Sequence, residues 1–562
     1  MKKLFSILLA ALMLLGAASA SALELSAPGE FPLVKEPATL TIGLSPNALT
    51  VDYNDNYLTK YIEERTGVDI EFYFFPADGA EAKQKLSLMV AANEKLPDII
   101  WMSLDDITRA QYGQSGVFLP LNQYFDDPNY RHFWEIAMTN YATEEQRAKV
   151  VGDAYSFDGN IYGYPQFAFA TFDTCATGML INKQWLENLG LEMPKTTDEF
   201  YNVLKAFKEQ DPNGNGKPDE IPMLGCVGGY YTDLRLALMN AFVYDAYLLN
   251  SDNQMEVVNG KLSPSFVTDA YREGLRFMAK LVKEGLLSPL SFSQSQNELI
   301  SIMSAPEDQD SLVGVVAGTS TILFKPVDQV KRAYEYAVLE PLTGPEGVCW
   351  APYTGVKGSY NFYITSDCEN PDLAYRFLDA MGELDMTMTM RYGEKDVDWK
   401  YTTEGRIAHW RLEGYKTIYT TTPTAERPMP WSTEDNIIWH GNFANMLPPA
   451  LIDGGVRVYN NELQEYATDI LGFAATPAKI YKHPAEIAYK INYTEEELDQ
   501  ISEIRNSVNT YVDESYTRFI LGDLDIEADW DAYLAELESM GLSHYMEVAQ
   551  GAYDRAQANA AK

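Results

Sequence analysis

From Thr39 the chain alternates short apolar runs with amphipathic ones. Residues 39–44, TLTIGL, read as a strand. In 54–67, NDNYLTKYIEERTG, the residues Tyr57, Leu58, Tyr61 and Ile62 share one helical face, and Gly67 suits a helix end. VDIEFYF, 68–74, then alternates, with Ile70, Phe72 and Phe74 on one side. Residues 81–95 read as helix, and 96–102, LPDIIWM, as a buried strand. Strand, helix, strand, helix, strand is the signature of an open α/β sheet. Ligands bind such sheets beyond the carboxyl ends of the strands, and Trp101 stands at such an end.

A second α/β unit begins after SFDGNIYGYPQF, with a strand in 177–185, TGMLINKQW, and a helix in 195–210. In that helix Thr196 and Glu199 form a capping box, while Phe200, Val203, Leu204 and Phe207 follow helical spacing. Residues 272–287 read as amphipathic helix; 311–321, 334–342 and 361–366 read as strands; 370–383 read as helix. About the last 150 residues are aromatic-rich and mostly helical.

Composition adds the compartment. The first 22 residues, MKKLFSILLAALMLLGAASASA, have two lysines, an apolar run and small residues at the end, as a secretory signal peptide does. No later stretch is long and apolar enough to span a membrane, so the mature chain is expected outside the cytoplasm, periplasmic or at the cell surface. No cysteine follows the apolar run, so a lipid attachment point is not expected. The formal net charge of −38 repels nucleic acid and anionic lipid, which drop as partners. Cys175, Cys226, Cys349 and Cys368 show no short-range pairing, leaving disulfides and buried thiols both open.

The stretch DPNGNGKPDEIP, 211–222, carries chemistry of its own. Calcium takes six to eight oxygens, and side chains at alternate positions of a wound loop can all face inward. Asp211, Asn213 and Asn215 occupy positions 1, 3 and 5 of an EF-hand-like loop, with Gly216 at the sharp turn, the Lys217 carbonyl at 7 and Asp219 at 9. Pro222 stands where the bidentate glutamate is expected, so Glu220 takes that role and the loop is shortened. Half an EF-hand followed by extended chain is the expectation, with Ca²⁺ as a structural ion. The alternative is an Asx-turn and glycine loop that binds nothing.

The segments LPDII, LPLNQYF, DGNIYGYP, the long block 180–222, YAVLEPLTGPEG, NFYITSDCENPDLAYRFLD and RYGEKDVDW occur in the order seen in extracellular solute-binding proteins of ABC importers. The chain resembles in particular the large subgroup that binds oligosaccharides, including the alginate-binding proteins. The resemblance implies two α/β lobes joined by crossing hinge segments, with the ligand in the cleft between them. It places crossings near 166–174, 287–311 and 353–360. The N-terminal lobe would hold 23–168 and 300–355, and the C-terminal lobe 169–299 and 356–562. It also implies an oligosaccharide ligand, ABC permease subunits as partners and a monomer, and the alginate-binding relatives carry calcium in the matching loop.

Sugars are gripped by aromatic platforms and polar side chains. With 9 Trp and 37 Tyr the chain is rich in candidates: Trp101, Tyr164, Tyr230, Tyr231, Trp350, Tyr353, Trp399 and Trp439, with His440 beside the last. Arg391 would suit an acidic sugar. For any one of these, packing in the core or on the surface is the simpler role. The histidines, His132, His409, His440, His483 and His544, have no metal-ligand spacing, and no G-x-S-x-G or HExxH occurs. A binding protein is expected rather than an enzyme; the alternative is a secreted glycosidase or lyase stabilised by calcium.

Overall fold

The computed structural model describes residues 23–560 apart from 143, 157, 169–177, 228–231, 247–254, 305–308, 319–322, 325–331, 333–334, 354–356, 403–416, 421–433, 440–481, 489–490 and 492. Strands β1 (Ala38–Leu44), β2 (Val68–Phe74) and β3 (Ile99–Trp101) form where the alternation placed them. The helix Tyr57–Thr66 between the first two is capped by the Asn56 side chain and ends at Gly67, whose φ of 72° lies in the left-handed region. Beyond β4 (Gln166–Ala168) come β5 (Met179–Asn182) and β6 (Ile221–Leu224), then the hairpin β7 (Met255–Val258) and β8 (Lys261–Ser263). β9 (Val313–Ala317), β10 (Tyr336–Leu339), β11 (Lys357–Ser359) and β12 (Phe362–Ile364) complete the main set.

Two four-stranded sheets result, in the orders β12-β3-β1-β2 and β10-β5-β9-β6. In the first, β2 and β3 run parallel to β1 and β12 runs antiparallel to β3. In the second, β6 runs parallel to β9, while β5 runs antiparallel to both β9 and β10. The Thr196–Glu199 capping box is present, and Phe200, Val203, Leu204 and Phe207 are buried under the second sheet.

The lobe boundaries expected for the later segments are reversed. β9 and β10 belong to the second sheet, not to the N-terminal lobe, and β12 with the helix Pro371–Ala380 belongs to the first. The reason is burial: all five residues of Val313–Ala317 are buried, so that strand needs neighbours on both sides, and β5 and β6 supply them. Likewise Phe362–Ile364 is wholly buried and pairs with β3, Phe362 opposite Trp101.

The first and last expected crossings sit side by side: β4 pairs antiparallel with β11, Gln166 opposite Ser359 and Ala168 opposite Lys357. Just before it, Gly163 approaches Tyr360 so closely that a Cβ would lie 2.2 Å from the Tyr360 carbonyl oxygen. The middle crossing is not at 287–311. There the helix Gln296–Met303, capped by Ser295 and Glu298, packs Leu299 and Met303 against Leu224 and Val313 and stays in the second unit. Instead the chain is in the first core at Ile438 and Trp439 and pairs with the second unit at Ile487. Just before Ile487 it runs beside Ala351, whose N–H donates to the Lys482 carbonyl at 2.5 Å.

The helical C-terminal end expected from the pattern is present: Glu495–Leu521 packs on the helix Asp269–Lys283, and Trp530–Ser539 and Leu542–Ala560 pack on Glu495–Leu521 and on each other. A fully buried ion pair, Arg235 to Asp245 at 2.7 Å, with Asp513 at 3.1 Å, ties the longest of them to the second unit. Among the described residues no helix is long and apolar enough to cross a membrane.

Candidate functional site

The carboxyl ends of β1, β2 and β3 form one edge of the first sheet. Register aligns Phe74 with Leu44, and Gly43 with Ile100, so Trp101 falls level with Leu44. Trp101 is partly exposed and stacks on Phe362, centroids 5.5 Å apart at 12°. Tyr353 is partly exposed and stacks on His483 at 4.4 Å and 7°. The Tyr244 hydroxyl donates to the Tyr353 carbonyl at 3.2 Å and accepts its N–H at 3.3 Å, so the ring is held by its backbone. Burial pushes the Tyr244 phenol well up, so it remains a donor at any ordinary pH. Trp350, also partly exposed, packs beside Tyr244, Ala246 and Ile487, and its N–H donates to the Asn240 carbonyl.

The loop 211–222 lies in the second unit, between the helix Thr197–Glu209 and β6, so helix in and strand out is the observed arrangement. It winds tightly because Asp211, Gly214 and Gly216 all have positive φ. Asp211 accepts the Asn215 and Gly216 N–H groups at 3.1 and 3.0 Å, and the Asn215 side-chain oxygen accepts the Lys217 N–H at 2.8 Å. The Asn215 amide nitrogen donates to Asp219 at 3.2 Å. Oε1 of Glu220 is buried without a hydrogen-bond partner. Burial, then the Asp219 and Asp211 carboxylates, push the Glu220 carboxyl above its usual range. Among the described residues no group of three or more His, Cys, Asp or Glu is set to hold a metal by itself. A cage here would therefore draw on Asn oxygens and a backbone carbonyl as well.

Two four-stranded sheets, a two-stranded ribbon and partly exposed aromatic rings are thus on hand. The bacterial extracellular solute-binding protein family matches residues 50–385, more than half of the chain. The chain belongs to the bacterial extracellular solute-binding proteins. The fructooligosaccharide ABC transporter substrate-binding protein FusA of Streptococcus pneumoniae is 27% identical over 554 residues, 94% of this chain and 92% of its own. The polygalacturonan/rhamnogalacturonan-binding protein YtcQ of Bacillus subtilis is 26% identical over 63% of this chain and 67% of its own. Among solved structures, an HMO-binding solute-binding protein from Bifidobacterium longum infantis has a TM-score of 0.71 at 19% identity, covering 92% of this chain and 99% of that one. The alginate-binding protein AlgQ2 has 0.61 at 22%, covering 93% and 99%. These likenesses establish the two-lobed fold. A solute-binding protein holds its ligand without chemistry on it, so the expectation of a binder rather than an enzyme stands.

Within this solute-binding protein the predicted contacts divide. Trp101, Trp350 and Tyr353 are partly exposed, the first at a strand end and the other two against Tyr244 and its neighbours. Arg391 is exposed in the last turn of the helix Leu384–Tyr392. Three others are core residues. Tyr164 is fully buried and its hydroxyl donates to Asp379 at 3.2 Å. Trp399 is fully buried, its indole N–H donating to the Gly393 carbonyl at 2.9 Å. Trp439 is 1% exposed and donates to Thr59 Oγ1 at 2.8 Å. Each has its polar atom satisfied inside, which is how a large amphipathic ring is accommodated in a core. Tyr230, Tyr231, Cys175 and His440 lie outside the described residues; Cys226, Cys349 and Cys368 are free thiols. Phe74, 45% exposed, and His483, stacked on Tyr353, are not among the contacts expected from sequence. Alternation set Phe74 on one side of its strand with Ile70 and Phe72, and nothing local marks His483.

Proposed function

We propose that this chain captures an oligosaccharide outside the cytoplasm and delivers it to a membrane ABC permease, acting as a monomer. What carries the reading is that a member of this family presents partly exposed aromatic rings, one of them at a strand end, beside relatives named for oligosaccharide and polysaccharide ligands. Flat rings match the apolar faces of sugars, and the ribbon β4–β11 gives a natural axis for closure. A signal peptide over residues 1–22 accounts for export.

The loop would hold a structural calcium through Asp211, Asn213, Asn215, the Lys217 carbonyl, Asp219 and Glu220. The donor set suits a hard cation, and the unpartnered Glu220 oxygen beside two further carboxylates is the arrangement a cation relieves. Binding would require the Asn215 amide to turn its oxygen toward Asp219. A structure of FusA is described as an EF-hand mutant, and one of AlgQ2 as without calcium ion.

A thermal-shift screen of neutral, pectic and uronate oligosaccharides and peptides tests the reading, since a ligand that closes the cleft stabilises the fold by mass action. A rise with one sugar class supports it. A flat response to every sugar, or a rise with peptides alone, overturns it.

A further inference from the structure

The first unit carries a second exposed ring level with Trp101. Phe74, the last residue of β2, is 45% exposed, although its strand neighbours in the alternation face the core. It is not a loose ring. Tyr53 meets it at 5.2 Å and 60°, Phe72 lies parallel to it at 5.9 Å and 11°, and both lean on Trp439. Tyr53 itself is fixed, accepting the Asn47 N–H with its hydroxyl, and its loop is pinned by the Val51 N–H bond to the Asp435 carbonyl. Phe74, Leu44, Trp101 and Phe362 thus form one row across all four strands, on one face, at the ligand end of the sheet. With strands ~4.8 Å apart, two strand steps set Phe74 and Trp101 roughly 10 Å apart, about the span of two linked sugar rings.

The loops that follow the three strands carry exposed acids. Asp52 accepts the Asn54 N–H, Asp78 caps the helix Gly79–Ala92, and Asp105 caps the helix Asp106–Gln114. These bonds hold each carboxylate in place. Asp55, beside them, is paired with Lys60. Carboxylates accept hydrogen bonds from sugar hydroxyls and repel uronates, and the chain as a whole carries a net charge of −38.

We propose that Phe74 and Trp101 form a two-ring platform that selects a neutral oligosaccharide long enough to span both. This rests on the oligosaccharide reading above and adds to it the ligand's charge class and least length. Trp101 grips one sugar ring of any ligand. Phe74 meets only a chain that reaches it, so its contribution grows with ligand length.

The test is calorimetric titration of the whole protein, wild type and the variants Phe74→Ala, Phe74→Trp and Trp101→Ala. The probes are neutral fructo- and gluco-oligosaccharide ladders of two to five units and an oligogalacturonate ladder. Phe74→Ala is expected to weaken the longer neutral ligands about five- to tenfold, the scale of one aromatic contact, and the disaccharides less than twofold. Phe74→Trp should restore the longer ligands, and Trp101→Ala should weaken both lengths. Phe74→Trp keeps a ring against Tyr53 and Phe72 and should melt near wild type, so its recovery of the longer ligands separates lost contact from lost fold. Equal loss at all lengths for Phe74→Ala, no loss, or tighter binding of oligogalacturonates than of neutral chains overturns the platform while leaving oligosaccharide capture standing. Failure of the wild type to bind any sugar of the panel overturns the oligosaccharide reading itself.

Discussion

Glu220→Gln is a substitution whose sign should depend on calcium. Without the cation, burial and the Asp219 and Asp211 carboxylates disfavour the charged form of Glu220. Removing that charge should then raise the melting temperature slightly at neutral pH. With calcium bound as proposed, the same carboxylate would be the shortened loop's last ligand, and its loss should lower the temperature instead. The magnitude follows from where the loop sits. It joins the helix Thr197–Glu209 to β6 within the second unit, which with its C-terminal helices comprises about 240 residues. Saturation at a hundredfold excess over Kd contributes about 2.7 kcal/mol. A unit of this size shifts roughly 2–4 °C per kcal/mol, so calcium should raise its melting by about 5–10 °C. Scanning calorimetry in EDTA and in calcium, on wild type and Glu220→Gln, reads both effects. Only the second unit's transition should move. Identical traces in EDTA and calcium, or movement of the first unit's transition, would refute calcium binding at this loop.

Three further outcomes follow from the interior. Asp379 is wholly buried and caps the helix His132–Tyr141 by accepting the Phe133 and Trp134 N–H groups at 2.9 and 3.0 Å. Burial raises its carboxyl from 3.8 to about 7. Because the folded value exceeds the unfolded one, its contribution is fullest below pH 4 and is lost as pH rises toward 7. That rise corresponds to roughly 4 kcal/mol at 1.36 kcal/mol per pH unit. Denaturant titrations from pH 4 to 8 should show this fall in wild type and a flatter profile in Asp379→Asn; parallel profiles would contradict it. Trp399→Ala should cost about 3–5 kcal/mol of stability yet change sugar affinity less than twofold where folded, and a larger affinity loss would return Trp399 to the site. Gly163→Ala should cost about 1–3 kcal/mol by forcing a Cβ against the Tyr360 carbonyl at the crossing, and a wild-type melting curve would show the approach can relax.

Local pattern made the elements legible: the alternation of VDIEFYF, the Thr196 capping box and the glycine at 67 all form as the residues imply. Partners distant in sequence were not legible. Nothing in GVVA says that it pairs with MLIN, Met179 opposite Ala317 and Ile181 opposite Val315, so chain order assigned β9 to the wrong lobe. The same limit applies to rings. Whether a tryptophan faces solvent depends on what packs over it, and Trp399 and Trp439 read from sequence like Trp101. Their burial distinguishes them: Trp399 and Trp439 are enclosed with their indole N–H groups bonded inside, whereas Trp101 is partly exposed. Phe74 erred in the other direction, since its place in the alternation is apolar but its strand ends where the core does.

The central claim is capture of an oligosaccharide without change to it. Isothermal titration of the mature chain with the sugar that stabilises it most, followed by mass spectrometry of the ligand recovered from the cell, addresses both halves at once. One saturable site per chain, a negative heat-capacity change from the buried ring faces and a ligand returned at its original mass are expected. Shortened products, or no saturable heat with any oligosaccharide, would contradict the claim.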